Sequence, residues 1–145
     1  MGAFTNYKRE ELIKAFYSEE TPDKLYFGYS TGVMDKDGVG RVEPAGATGY
    51  ARTEIDNDGS FWSGPTTDEF DVSSITNAEI VTCPLATQNQ GVVEAVFIAD
   101  HLTAGNILAI DNLDKTGSGG ADKRQEVREG NRLVFEPGEV VLTIT

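Results

Sequence analysis

Residues 130–145 read GNRLVFEPGEVVLTIT. Two apolar runs flank Glu136-Pro137-Gly138. Proline presets φ for the second position of a turn, and glycine takes the positive φ that follows. After the turn, Val140, Leu142 and Ile144 alternate with Val141, Thr143 and Thr145. That is the two-residue period of a strand with one face turned inward. The stretch reads as a hairpin about the Pro-Gly. Its last strand is tied into a β-core by pairing, so no polar tail is needed to end it.

The same signature recurs upstream. In KLYFGYS (24–30), Leu25, Phe27 and Tyr29 point one way while Tyr26 and Gly28 point the other. GYARTEI (49–55), NAEIVTC (77–83, stopped by Pro84) and NILAIDNL (106–113) read as further strands, and SFWSG (60–64) as a short one. VVEAVFIAD (92–100) is continuously apolar, which predicts a central strand buried on both faces. MDKDGVG (34–40) and DNDG (56–59) are turns, and residues 63–73 are turn-rich. Asn6–Tyr17 is the one convincing helix. Thr5 or Asn6 can cap it, and Leu12, Ile13, Phe16 and Tyr17 cluster at helical spacing. The expectation is an all-β fold: an antiparallel β-sandwich or jelly-roll-like barrel of seven or eight strands, with one short N-terminal helix. Residues 1–23 form a helical arm that either packs under the core or reaches a neighbouring subunit. Residues 24–145 form a single domain, with a polar, Gly-rich loop at 114–130.

The chain has 145 residues, 24 acids against 12 bases, and a formal net charge of −12. That length suits one domain, which buries roughly two-thirds of its unfolded surface. The charge repels phosphate backbones and anionic lipid, which argues against nucleic-acid and membrane partners. No apolar run is long enough to span a bilayer, and the N-terminus lacks the apolar stretch of a signal peptide. Synthesis and assembly in a host cytoplasm are expected. MGAFTN has the glycine of a myristoylation site but fails at Asn6, where Ser or Thr is needed.

The chemistry-bearing residues are few. A single cysteine, Cys83, allows no intrachain disulfide and sits in an apolar run as an inert buried thiol. The single histidine, His101, lies in a turn-like segment and reads as an exposed loop residue. Together they lack the electropositive, part-exposed setting of a thiolate nucleophile. They also cannot make a zinc site. The acidic turns at Asp35 and Asp56 resemble calcium loops only faintly. The first lacks the glutamate at the twelfth position, and the second has Phe61 where glycine is required. The Gly-rich segment at 117–120 lacks the lysine and hydroxyl residue of a phosphate loop. No spacing singles out a pair of carboxylates. The reading is a non-enzyme without cofactor or metal. Trp62, near Gly64-Pro65, serves either the core, a subunit contact or a sugar platform.

The order of motifs resembles a family of small tailed-bacteriophage virion structural proteins, tail-fibre-like or minor structural. It runs KLYFGYSTG, GYARTEIDND, a tryptophan, SSITNAEIVTCPLAT, VVEAVFIAD, GNILAIDNL and the closing hairpin. The resemblance spans about Tyr7 to Thr145. Its most specific parts are Gly49-Tyr50-Ala51-Arg52, Pro84–Thr87 and the closing hairpin. Where the family often has Trp-Gly before the central strand, this chain has Gln90-Gly91. Its 114–130 segment is longer and more polar than the family pattern.

The resemblance implies a virion component without catalysis. A short, acidic, non-repetitive β-domain fits a capsid decoration or cement protein, expected as a homotrimer against the major capsid protein. Its contacts are expected through the arm (Tyr7, Leu12, Phe16, Tyr17) and the polar loop (Arg124, Arg128). The alternative is a tail, baseplate or fibre-associated protein for host attachment. Trp62 and Tyr50 are then the residues expected to meet a host surface glycan.

Overall fold

A computed structural model of the chain describes residues 5–18, 22–113 and 124–144. Among these residues the fold is mostly β, with several small sheets, and its one α-helix lies at the N-terminus. This is the class that the two-residue alternation predicts. The described chain divides into two compact units. One comprises residues 1–24, 55–81 and 135–145, and the other 25–54 and 82–134.

The first unit holds α1 (Asn6–Ser18), β3 (Trp62–Thr67), β4 (Ser73–Asn77) and β11 (Val141–Ile144). Thr5 caps the helix through Lys8 N (3.3 Å to Oγ1). Arg9, Ile13 and Tyr17, four residues apart, form its buried stripe. The sheet runs β11-β4-β3, and both pairings are antiparallel. Register separates its two faces. Trp62, Thr67, Ser73, Ile75 and Asn77 share the face that α1 covers, and Phe16 meets Trp62 there with ring centroids 6.1 Å apart. Ser63, Thr66, Ser74, Thr76, Val141 and Thr143 share the other face, which is hydroxyl-rich and largely open.

The second unit contains most of a four-stranded sheet of order β2-β1-β7-β8, from β1 (Lys24–Ser30), β2 (Thr53–Asp56), β7 (Ala95–Ala99) and β8 (Ile107–Asn112). β7 is antiparallel to both β1 and β8. Met34, Ala95, Phe97 and Ala99 form a buried cluster against which Ile107 and Ile110 pack. A separate antiparallel pair joins β6 (Gly91–Val93) to β9 (Gln125–Val127).

Several expectations are corrected. The closing run is not a hairpin: β10 (Val134–Phe135) pairs with β5 (Val81–Thr82), and β11 pairs with β4. The turn itself forms, with Glu139 N donating to Glu136 O at 3.0 Å, but Asn77 takes hold of the strand leaving it. The run 92–100 is two strands. Glu94 interrupts them, its N–H donating to Ser30 O and its carbonyl accepting from Leu113 N, both at 2.8 Å. The backbone therefore changes sheets at Glu94. The strand expected at 77–83 shrinks to Val81–Thr82, and the longer strand lies just before it, at the end of the turn-rich region. The strand expected at 49–55 begins only at Thr53. Of the loop expected at 114–130, residues 125–127 are strand β9, while 114–123 lie outside the described residues.

Candidate functional site

The Gly49-Tyr50-Ala51-Arg52 stretch is irregular backbone, and the reason begins at Gly49. It closes a 3-10 turn (Gly46–Thr48) at φ 87°, a left-handed conformation that suits glycine. A Cβ there would lie 2.6 Å from Leu85 O. Thr87 N donates to Thr48 O at 2.8 Å. The two motifs singled out in the sequence, Gly49–Arg52 and Pro84–Thr87, thus dock on each other.

Arg52 then enters the interior, 4% exposed. Its Nε and Nη2 donate to the two oxygens of Glu43 at 2.8 and 2.9 Å, a bidentate fork. Its Nη1 donates to the carbonyls of His101 (2.7 Å) and Ala104 (2.8 Å). The guanidinium lies 5.2 Å from the Phe97 ring centroid, and that of Arg41 lies 5.6 Å from the same ring. Phe97 has room because β1 places Gly28 beneath it: a Cβ at Gly28 would come within 2.5 Å of a ring carbon.

Tyr50 Oη donates to Glu43 at 2.7 Å, and its ring meets Tyr29 edge-on with centroids 4.9 Å apart. Tyr29 Oη donates to Gln90 Oε1 (2.5 Å), and Gln90 Nε2 donates to Thr48 O (3.1 Å). Burial pushes the Glu43 carboxyl up. The hydrogen bonds from Arg52 and Tyr50, with the Arg52 and Arg41 charges, outweigh this and hold it below the usual glutamate value. Burial, then Glu43, pushes the Tyr50 hydroxyl up, and burial takes Tyr29 to about 12.

The first unit has two neutral counterparts. Asn57, fully buried, donates through Nδ2 to Phe16 O (2.6 Å) and Pro22 O (2.8 Å), and its Oδ1 accepts from Trp62 Nε1 (3.0 Å). Asn77, 1% exposed, donates to Glu79 O (2.8 Å) and Glu136 O (3.0 Å). Its Oδ1 accepts from Gly138 N (3.0 Å) and Val140 N (2.9 Å). One amide therefore satisfies both sides of the Pro137-Gly138 turn.

The residues singled out in the sequence fall into distinct settings. Trp62 is 3% exposed, with its indole N–H held by Asn57, so it belongs to the core and offers no surface platform. Tyr50 is half-buried and committed to Glu43. Tyr17 is buried, its hydroxyl donating to Gly64 O at 3.0 Å, and Phe16 is half-buried against Trp62. Tyr7 and Leu12 remain on the surface, 71% and 37% exposed. Arg124 is half-buried, 3.4 Å from Glu94, and Arg128 is exposed beside Glu126 at 3.0 Å.

Glu43, Asn57 and Asn77 went unrecognised in the sequence, where the two asparagines pass for a turn residue and a strand start. The one available signal was for Glu43, an acid nine residues before an arginine across a Gly-rich turn.

The remaining groups singled out in the sequence are engaged within the fold. Cys83 is 1% exposed, and burial pushes its thiol up to about 11, which suppresses the nucleophilic thiolate. His101 Nδ1 accepts from Thr103 N at 3.3 Å and so shapes its own loop. Asp35 Oδ1 accepts from Asp37 N (2.8 Å) and Val39 N (2.9 Å). Asp58 Oδ1 accepts from Ser60 Oγ (2.7 Å), Ser60 N (2.9 Å) and Phe61 N (3.1 Å). One acid in each turn that resembled a calcium loop, Asp35 in the first and Asp58 in the second, thus braces its own turn. Among the described residues no three His, Cys, Asp or Glu side chains gather to share an ion, and no helix is long and apolar enough to cross a membrane.

The family model described as podophage GP4 fiber I protein gp80 matches residues 3–143. Among curated proteins, none matches the chain.

Proposed function

Because the chain belongs to the podophage GP4 fiber I protein gp80 family, we infer that it is a non-catalytic, fibre-associated component of the phage tail that serves host attachment. The observation that carries this reading is the extent of the match, nearly the whole chain, to a family described by its fibre. It favours the tail over the capsid-decoration role that size and acidity alone suggested. The site supports a structural part. Its buried polar groups are spent on holding irregular backbone, and the cysteine that could serve as nucleophile is desolvated. Host recognition, on this reading, does not use Trp62, whose ring is buried.

Virions assembled without the chain test the reading. Loss of a tail fibre component leaves heads that retain packaged DNA on warming, while adsorption to host cells falls. Heads that leak DNA while adsorption stays normal would instead assign the chain to cementing the shell beside the major capsid protein.

A further inference from the structure

Phe70 is 77% exposed, and among the described residues no large apolar side chain is more so. It stands on the link between β3 and β4, and that link is not slack. Asp68 Oδ1 accepts from both Phe70 N (2.9 Å) and Val72 N (3.0 Å). Asp68 N donates to Val72 O (3.0 Å), and Asp71 N to Asp68 O (3.2 Å). Asp71 takes φ 60°, the one non-glycine residue with positive φ among those described. Both ends of the turn are tied to α1. Arg9 Nη2 lies 3.6 Å from Asp71 Oδ1, and Thr67 Oγ1 donates to Glu10 Oε1 at 2.5 Å. The fold therefore holds an aromatic ring out in solvent on a braced support.

The surroundings of that ring indicate what covers it. Asp68, Glu69 and Asp71 are all exposed, so three carboxylates flank the phenyl group within four residues. A central aromatic anchor inside a charged rim is the layout of a binding hot spot. The bracing lowers the ordering entropy that docking would otherwise cost. The rim requires a partner of opposite charge. A second copy of a chain with net charge −12 would meet it with repulsion. We propose that the Asp68–Val72 turn is a docking element whose Phe70 seats in an apolar pocket rimmed by lysine or arginine on another virion protein. The inference rests on the virion reading above for where that partner is found.

The test adds purified chain back to virions assembled without it and counts bound copies by quantitative immunoblot. The wild-type chain binds, and its binding weakens as salt rises from about 50 to about 500 mM NaCl. Phe70→Ser lowers binding at least about tenfold with an unchanged melting temperature. Glu69→Lys weakens binding and flattens the salt dependence. Equal binding by Phe70→Ser, or tighter binding by Glu69→Lys, overturns the proposal while the virion reading stands. Failure of the wild-type chain to bind overturns both. Sedimentation supplies the remaining control: a wild-type dimer that Phe70→Ser converts to monomer would make the occupant a second copy and overturn the basic pocket.

Discussion

In one unit Arg52 holds the Glu43 carboxylate and the 101–104 loop with a buried charge. In the other, Asn57 and Asn77 hold the end of α1 and the Pro137-Gly138 turn with neutral amides. Both arrangements satisfy backbone groups that no strand pairs, which would otherwise be buried at a cost. They differ in what they demand. The ion pair must offset the desolvation of two charges, so it stands only while both partners are present. The amides need no counter-charge and carry donor and acceptor in one side chain. The ionic node should therefore fail more steeply and respond to pH, whereas the amide nodes should fail less and ignore it.

Arg52→Ala is the most damaging of the expected changes. It leaves the half-buried Glu43 with Arg41 and the Tyr50 hydroxyl but without its fork, and two carbonyls without donors, a loss of about 3–5 kcal/mol in urea unfolding at neutral pH. A loss under about 1 kcal/mol would break the contrast. Asn77→Ala should cost about 3 kcal/mol, because Val140 N loses its acceptor and two carbonyls lose their donor. The same loss at pH 7 and pH 5 would mark the node as uncharged. Gly49→Ala should cost about 2 kcal/mol, from left-handed strain and the contact with Leu85 O, with calorimetry as the check.

The pH dependence sharpens the contrast further. Glu43 is held below its usual value in the folded chain. Its contribution is therefore present above the unfolded glutamate pKa and is lost as pH falls through the lower folded value. Wild-type stability should drop over that acid range, and Glu43→Gln should show a shallower drop while starting lower at neutral pH. Parallel curves for the two proteins would remove Glu43 as the acid-sensitive group. At the alkaline end the sign reverses. Tyr29, raised to about 12, withdraws stability as pH climbs from 10.0 toward that value. Phe70→Ser marks the low end of the scale, with no measurable change in stability.

What the sequence made legible follows from range. Strict alternation located β1 at Lys24–Ser30 to the residue, and helical spacing with a capping threonine located α1. These are local signals. The break at Glu94 was not legible, because a continuous apolar run looks the same whether it serves one sheet or two. The closing hairpin misled for the same reason. A Pro-Gly turn fixes a reversal but not a partner, and the partner was chosen by Asn77, some sixty residues upstream in the chain. Trp62 could be read from sequence as core or platform, and only the Asn57 carbonyl that accepts its indole N–H decides for the core. The Gly49–Arg52 motif was visible as a motif but not as a clasp, since Glu43 and the 101–104 carbonyls converge on it only in the fold. Phe70 lay inside a stretch legible only as turns.

The central claim is that this braced, acidic β-protein belongs to the tail of the particle. Gold-labelled antibody against the chain, viewed on intact virions by negative-stain electron microscopy, tests it most directly. The account predicts gold confined to the tail and its fibres. Gold spread over the heads would contradict it.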